Sequence, residues 1–207
     1  MVFLYLNKLM RNIYLIHKLI HFIISDGLSG IFRRSLYFFW FVMKVLIFGP
    51  SGSGKTYVSK AWKRKGINAY EDGDIKNLSS WYDKHNNKVA TPRTAREALD
   101  NHYSFLWSKR VLRTFLAVHS DVYIFGGSGN VFDMTDLFDK TFFLKINLSI
   151  QKERILHSSR ETPLMDFDED GIVIWGDWIE QEAKKRNIPF IDATLSPDQI
   201  FEIISKH

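Results

Sequence analysis

Gly49-Pro50-Ser51-Gly52-Ser53-Gly54-Lys55-Thr56 reads G-x-x-x-x-G-K-[ST], and this octapeptide decides the fold. A triphosphate packs several negative charges into a small volume, so holding one takes many donors converging on a point with no bulky side chain in the way. Gly49, Gly52 and Gly54 provide that clearance, and with Ser51 and Ser53 they let successive N–H groups turn inward as an anion nest. Lys55 is then placed to reach the β- and γ-phosphates and Thr56 to ligate Mg²⁺. A helix starting here directs its positive dipole end at the same anion.

The flanks fit that reading. Lys44-Val45-Leu46-Ile47-Phe48 is a short apolar run with the composition of a buried strand. Beyond the loop, Val58, Ala61 and Trp62 recur at helical spacing up to Gly66, a C-terminal capping glycine. Strand, glycine loop and helix follow in the order the motif requires.

Further along, 67–70, 122–125, 141–146 and 189–192 read as four more strands, with a long, mostly helical stretch between the second and third, running through Trp81 and Trp107 to about His119. Helices are expected from Ser149 and over about 176–186, with a polar, acidic loop at 161–171 between them. The last helix has Ser196 as N-cap, Pro197 at its first position and Gln199 completing a capping box, then Ile200, Ile203 and Ile204 on one face. Apolar strands alternating with helices predict an α/β fold: a five-stranded parallel sheet covered on both faces.

The 207 residues contain no cysteine, which excludes disulfides and thiolate metal sites and is compatible with a reducing, cytoplasmic setting. The net charge of +5 is unevenly spread: residues 1–42 hold Lys8, Arg11, Lys18, Arg33 and Arg34 against Asp26, leaving +1 for the rest of the chain. A basic face for nucleic acid is therefore not expected on the part that carries the glycine loop. Residues 1–42 are dense in Ile, Leu, Phe and Tyr but too interrupted by charge for a spanning helix, and they lack the single apolar block of a signal peptide. Three readings stand. The segment is an extension outside the folded domain, upstream of a start at Met43, with 43–207 as the working domain; or 14–24 is a basic amphipathic helix on a membrane surface; or the segment spans a membrane or packs on the domain.

A phosphate-cradling loop leaves the chemistry open. Motor ATPases close a buried strand with an acid for Mg²⁺ and water activation, whereas the strand at 122–125 runs into Gly126, with Asp121 at its other end. No Asn-Lys-x-Asp for reading guanine is present. Instead, Asp72 and Asp74 follow the second strand, at the sheet edge where open α/β sheets bind ligands. In extended geometry the two side chains share a side. One carboxylate then holds Mg²⁺ and the other takes the proton of an acceptor hydroxyl.

The glycine loop, the Asp72-x-Asp74 pair, Gly126-Gly127-Ser128-Gly129, and Ile191-Asp192-Ala193-Thr194 before a Ser-Pro-capped helix resemble the small-molecule and nucleotide kinases of the P-loop class, such as shikimate kinase and adenylate-kinase-like proteins. The resemblance covers residues 43–207. It implies an ATP- and Mg²⁺-dependent phosphotransferase acting on a small-molecule acceptor, with a small helical acceptor cap and a short lid. Asp72 and Asp74 would face metal and acceptor, Gly126 and Gly127 would let the acceptor approach the backbone, and Arg93 or Arg96 would bind an anion on it. Asp192 would lie by the adenine, and Arg160 would meet the transferring phosphoryl group, with Arg154 as a second candidate. The lid departs from the pattern: between Ser158 and Trp175 its only arginine is Arg160, amid Asp166, Asp168, Glu169 and Asp170. A nucleotide-binding module that regulates a partner is therefore the alternative, and a membrane-surface NTPase, working through residues 1–42, a third.

Overall fold

The computed structural model describes residues 43–83, 85, 88–92, 95–119, 121–157 and 169–207. Strand β1 (Lys44–Phe48) leads through the glycine loop into helix α1 (Lys55–Arg64), and β2 (Ala69–Glu71) runs into one 3₁₀ turn, Asp72–Asp74. Strands β3 (Ser79–Asp83) and β4 (Lys88–Ala90), helix α2 (Ala95–Asp100), strand β5 (Tyr103–Trp107) and helix α3 (Lys109–Val118) follow. The second half comprises β6 (Val122–Gly126), a 3₁₀ segment Val131–Leu137, β7 (Lys140–Lys145), α4 (Leu148–Leu156), α5 (Glu169–Lys185), β8 (Phe190–Asp192) and α6 (Pro197–Lys206).

The main sheet has the order β2-β6-β1-β7-β8, and all its pairings are parallel. Alternate residues of β1 go to opposite faces, as strand geometry dictates. Val45 and Ile47 join Val58 and Trp62 of α1 and Ile200 and Ile204 of α6 on one side. Leu46 and Phe48 join Leu112 and Leu116 of α3 and Ile179 and Ala183 of α5 on the other. This is the expected α/β architecture, a five-stranded parallel sheet buried on both faces. Trp62, fully buried, locks one layer together: its indole N–H donates to Pro197 O at 2.9 Å, tying α1 to the first turn of α6. The ends of α1 and α6 follow local rules. Gly66, at φ 79°, closes α1 with Gly66 N–H to Lys63 O and Ile67 N–H to Trp62 O, a Schellman motif. Ser196 and Gln199 complete the capping box on α6.

The stretch between the acidic turn and α3 departs from the mostly helical expectation. It is a second, antiparallel sheet of order β4-β3-β5, with the short α2 as its one helix among the described residues. Tyr103-Ser104-Phe105-Leu106-Trp107 and Ser79-Ser80-Trp81-Tyr82-Asp83 are aromatic-rich, and such residues fit a half-buried pleated surface better than a helix. The small sheet is tied to the loop after β6 by Gly129 N–H to Phe105 O at 2.8 Å, while Ser108 N–H to Leu78 O, also 2.8 Å, extends its own β3–β5 pairing. Helix α5 also starts earlier than expected, at Glu169 rather than near residue 176. No helix among the described residues is long and apolar enough to cross a membrane. Residues 1–42, with the expected helix at 14–24, lie outside the described residues.

Candidate functional site

The chain leaves the adjacent strands β1 and β6 in opposite directions, toward β2 and toward β7, and the glycine loop sits at their carboxyl ends. Open α/β sheets form their ligand crevice at such a point. Gly52 and Gly54 have φ of 79° and 88°, the left-handed region that glycine enters without strain. Gly54 is the N-cap of α1, so the first amides of that helix open onto the loop. The Lys55 ammonium lies along the loop, donating to Gly49 O at 2.7 Å, Pro50 O at 2.8 Å and Ser53 Oγ at 3.4 Å. Gly49, Ser51, Gly52, Ser53, Gly54, Lys55 and Thr56 are thus brought together in one turn of chain.

Helix α4 supports the loop from one side. Gln151, buried, donates from Nε2 to Ser51 O at 2.9 Å. Arg154 donates from one guanidinium nitrogen to Gly52 O at 3.4 Å and to Ala193 O at 3.3 Å, so it bridges the loop and the turn after β8. Asp192 ends β8 at that turn, where Thr194 donates to its Oδ1 from both backbone N–H and hydroxyl. Those bonds, the backbone one foremost, hold the Asp192 carboxyl below its ordinary range. Helix α5 approaches the loop through Gly176, where an added Cβ would come within 3.3 Å of Pro50 Cβ.

The acidic turn after β2 does not place its two aspartates side by side. A 3₁₀ turn has three residues per revolution, so residues two apart diverge. Asp74 turns outward, pairs with Lys63 and accepts the Glu71 backbone N–H at 2.7 Å. Burial pushes its carboxyl up, but Lys63 and the Glu71 amide outweigh that and hold it below the usual range. Asp72 turns inward. Its Oδ2 accepts the Trp107 indole N–H at 3.2 Å and its Oδ1 the Gly73 N–H at 2.9 Å. Desolvation raises its pKa above the ordinary carboxyl value, against the opposing pull of the Trp107 indole and the Lys55 charge.

Glu71, which spacing arguments passed over, takes the place expected of the aspartate pair beside Thr56. Its Oε2 accepts the Thr56 hydroxyl at 2.6 Å and its Oε1 the Ser59 hydroxyl at 3.0 Å. Thr56 and Ser59 stand three apart on α1 and so share a face. The signal in the sequence was those two hydroxyls facing the last residue of a neighbouring strand. The Thr56 hydroxyl with the Glu71 carboxylate is an all-oxygen donor pair, which suits Mg²⁺ held by one or two carboxylates plus substrate phosphates.

Gly126 and Gly127 sit at the same edge, and their clearance is used by side chains. A Cβ on Gly126 would fall 2.5 Å from Trp107 Cζ2 and 2.8 Å from Asp72 Cγ; on Gly127 it would fall 3.1 Å from Trp175 Cη2. Asn130 fixes Trp107 from behind, accepting its N–H at 2.9 Å and donating to its carbonyl at 3.0 Å. Gly126→Ala is therefore expected to destabilise the fold by about 1–3 kcal/mol through overpacking, read as a lower urea midpoint at unchanged slope. Arg93 and Arg160, with most of the expected lid, lie outside the described residues. Arg96 belongs to α2, but its side chain lies outside the described residues.

Among proteins of known structure, similar chains include a deoxyadenosine kinase from M. mycoides with dCMP and dCDP bound, at 15% identity over 79% of this chain and 97% of that one, with a TM-score of 0.47. A shikimate kinase from Acinetobacter baumannii in complex with shikimate matches at 15% identity, covering 78% and 92%, with a TM-score of 0.48. A gluconokinase from Sinorhizobium meliloti matches at 14% identity, covering 76% and 86%, with a TM-score of 0.44. This chain is similar to P-loop kinases of small molecules and nucleosides. The strand order and loop geometry above carry the fold assignment without them. No family model matches the chain, and no curated protein does.

Proposed function

We propose that residues 43–207 form an ATP- and Mg²⁺-dependent kinase that phosphorylates the hydroxyl of a small molecule. The observation that carries this reading is the inward-turned Asp72 beside the Lys55 loop, one residue from the Thr56–Glu71 hydroxyl–carboxylate pair. The glycine loop cradles the triphosphate in this reading, and Lys55 swings from the Gly49 and Pro50 carbonyls onto the β- and γ-phosphates. Thr56 and Glu71 would hold Mg²⁺, which when bound neutralises phosphate charge. Asp72 takes up the acceptor proton as the acceptor oxygen bonds to the γ-phosphorus and the bond to the β–γ bridging oxygen breaks, releasing ADP. Each carboxylate oxygen has two acceptor sites, so the Trp107 and Gly73 donors leave room for a hydroxyl. A raised carboxyl pKa makes Asp72 the stronger base. Arg154 would steady the loop and the turn after Asp192 on the nucleotide side.

The test is single-turnover ADP release from Mg²⁺·ATP with and without candidate acceptors. Acceptor-stimulated release supports transfer; ATP bound with release indifferent to every acceptor sinks it in favour of a regulatory nucleotide module. Glu71→Ala is expected to raise the Mg²⁺ concentration for half-maximal rate by about 10- to 100-fold, the usual cost of losing a carboxylate that orients a metal ligand. A magnesium titration at saturating ATP reads it.

A further inference from the structure

The antiparallel sheet carries a feature that the glycine loop and acidic turn do not use. Pairing of β3 with β5 sets Ser79 opposite Trp107 and Trp81 opposite Phe105. Cross-strand partners and residues two apart share a face. Trp107, at the inner end of this face, is buried and donates to the Asp72 carboxylate. Trp81 and Phe105 come next along it, half-buried, with ring centroids 5.3 Å apart. One step of two residues along a strand is about 7 Å, so this aromatic pair begins about that far beyond the indole that holds Asp72. Lys88 lies opposite Asp83, at the end of the face away from Asp72, and is its only cation among the described residues.

Resting on the kinase reading above, the geometry points to this face as the acceptor site and to a neutral nucleoside as the acceptor, its base against Trp81 and Phe105 and its sugar hydroxyl at Asp72. Every base offers a π-face, and stacking on aromatic side chains is a strong, sequence-tolerant contact. Lys88 stands one two-residue step beyond Trp81 but directly opposite Asp83, so the described face carries no net positive charge for a phosphorylated or carboxylated acceptor. A small polyol would leave the rings unused.

The test measures binding separately from transfer, on the full chain with Mg²⁺ and a non-hydrolysable ATP analogue. The ribo- and deoxyribonucleosides are titrated by equilibrium dialysis, with glycerol, gluconate and shikimate as the non-aromatic set. At least one nucleoside is expected to bind. Trp81→Leu is expected to weaken that binding about tenfold or more, Trp81→Phe to restore it to within about threefold, and analogue affinity to stay unchanged. Phe105→Leu gives the same reading should Trp81→Leu fail to fold. Absence of nucleoside binding at millimolar concentration, or binding indifferent to both leucine variants, overturns the inference. The two readings fail differently. Phosphate transfer to a polyol or hydroxy acid without nucleoside binding removes the nucleoside and keeps the kinase; nucleoside bound without transfer does the reverse.

Discussion

Asp72→Asn is expected to lower kcat by about 10²–10⁴-fold, the range for loss of a positioned general base, with ATP affinity held to within about threefold. The amide is isosteric and its oxygen still accepts the Trp107 indole N–H, while its NH₂ faces the Gly73 N–H that the carboxylate accepted. Stability carries a pH dependence of its own. Desolvation holds the folded-state pKa of Asp72 above its unfolded value, so the unfolded chain gives up this proton first as pH rises. By linkage, the carboxylate costs stability once pH exceeds the unfolded value, and the full cost is reached above the folded one. The melting temperature of the asparagine variant relative to the parent is therefore expected to rise from acid toward neutral pH, on top of a constant cost for the NH₂ that faces the Gly73 N–H. The rate profile carries the same sign. The base must be ionised to work, so the acid limb of kcat/KM follows the raised pKa of the free protein, and Trp107→Phe, which removes a donor that lowers it, moves that limb to higher pH. A variant that loses activity and stability together, by the same melting difference at every pH, with an unshifted acid limb for Trp107→Phe, would reduce Asp72 to a packing residue. Comparing pH–rate and thermal-melt series for the parent and both variants separates the two.

What the sequence made legible is what is local in it. Gly66 and the Ser196–Gln199 box close helix ends with bonds no more than five residues long, and the glycine loop lies next to the strand and helix it joins. The parallel sheet was legible because β1 and β6 are apolar on both faces. The rest depends on contacts that exist only once the sheet has formed. Glu71 meets Thr56 fifteen residues away because β2 runs beside α1, and Asp72 meets Trp107 across thirty-five residues because the small sheet docks at Gly126. The aspartate pair was misread for a local reason: two residues apart means one side only in an extended chain, and Asp74 gives its carboxylate to the Glu71 amide, curling the turn. The small sheet is less legible because Ser79–Asp83, Lys88–Ala90 and Tyr103–Trp107 are short runs whose partners are fixed only once β3 pairs with β4 and β5.

Lys55→Ala is expected to cost about 10²–10³-fold in kcat, the range for losing one preorganised donor from the charge that develops in a transition state, and to weaken ATP binding as well. The structure adds a second consequence. The Lys55 ammonium spans Gly49 O, Pro50 O and Ser53 Oγ, joining the start of the loop to its end. Removing it leaves those acceptors to water and loosens the turn, so the alanine variant is also expected to lose about 1 kcal/mol of stability, the net worth of such hydrogen bonds. Lys55→Arg separates charge from fit. An arginine keeps the positive charge, but its planar fork is wider than a compact ammonium, and two main-chain carbonyls set the space at 2.7 and 2.8 Å. The arginine variant is expected to bind ATP better than the alanine variant yet to stay at least tenfold below the parent in kcat. Parental turnover in the arginine variant would show that Lys55 acts as a general surface cation, and parental turnover with alanine would remove the loop from the chemistry altogether. Single-turnover rates and ATP dissociation constants for the three proteins distinguish these outcomes, because a donor that acts only at the transition state changes kcat while a uniform binding contact changes the dissociation constant alone.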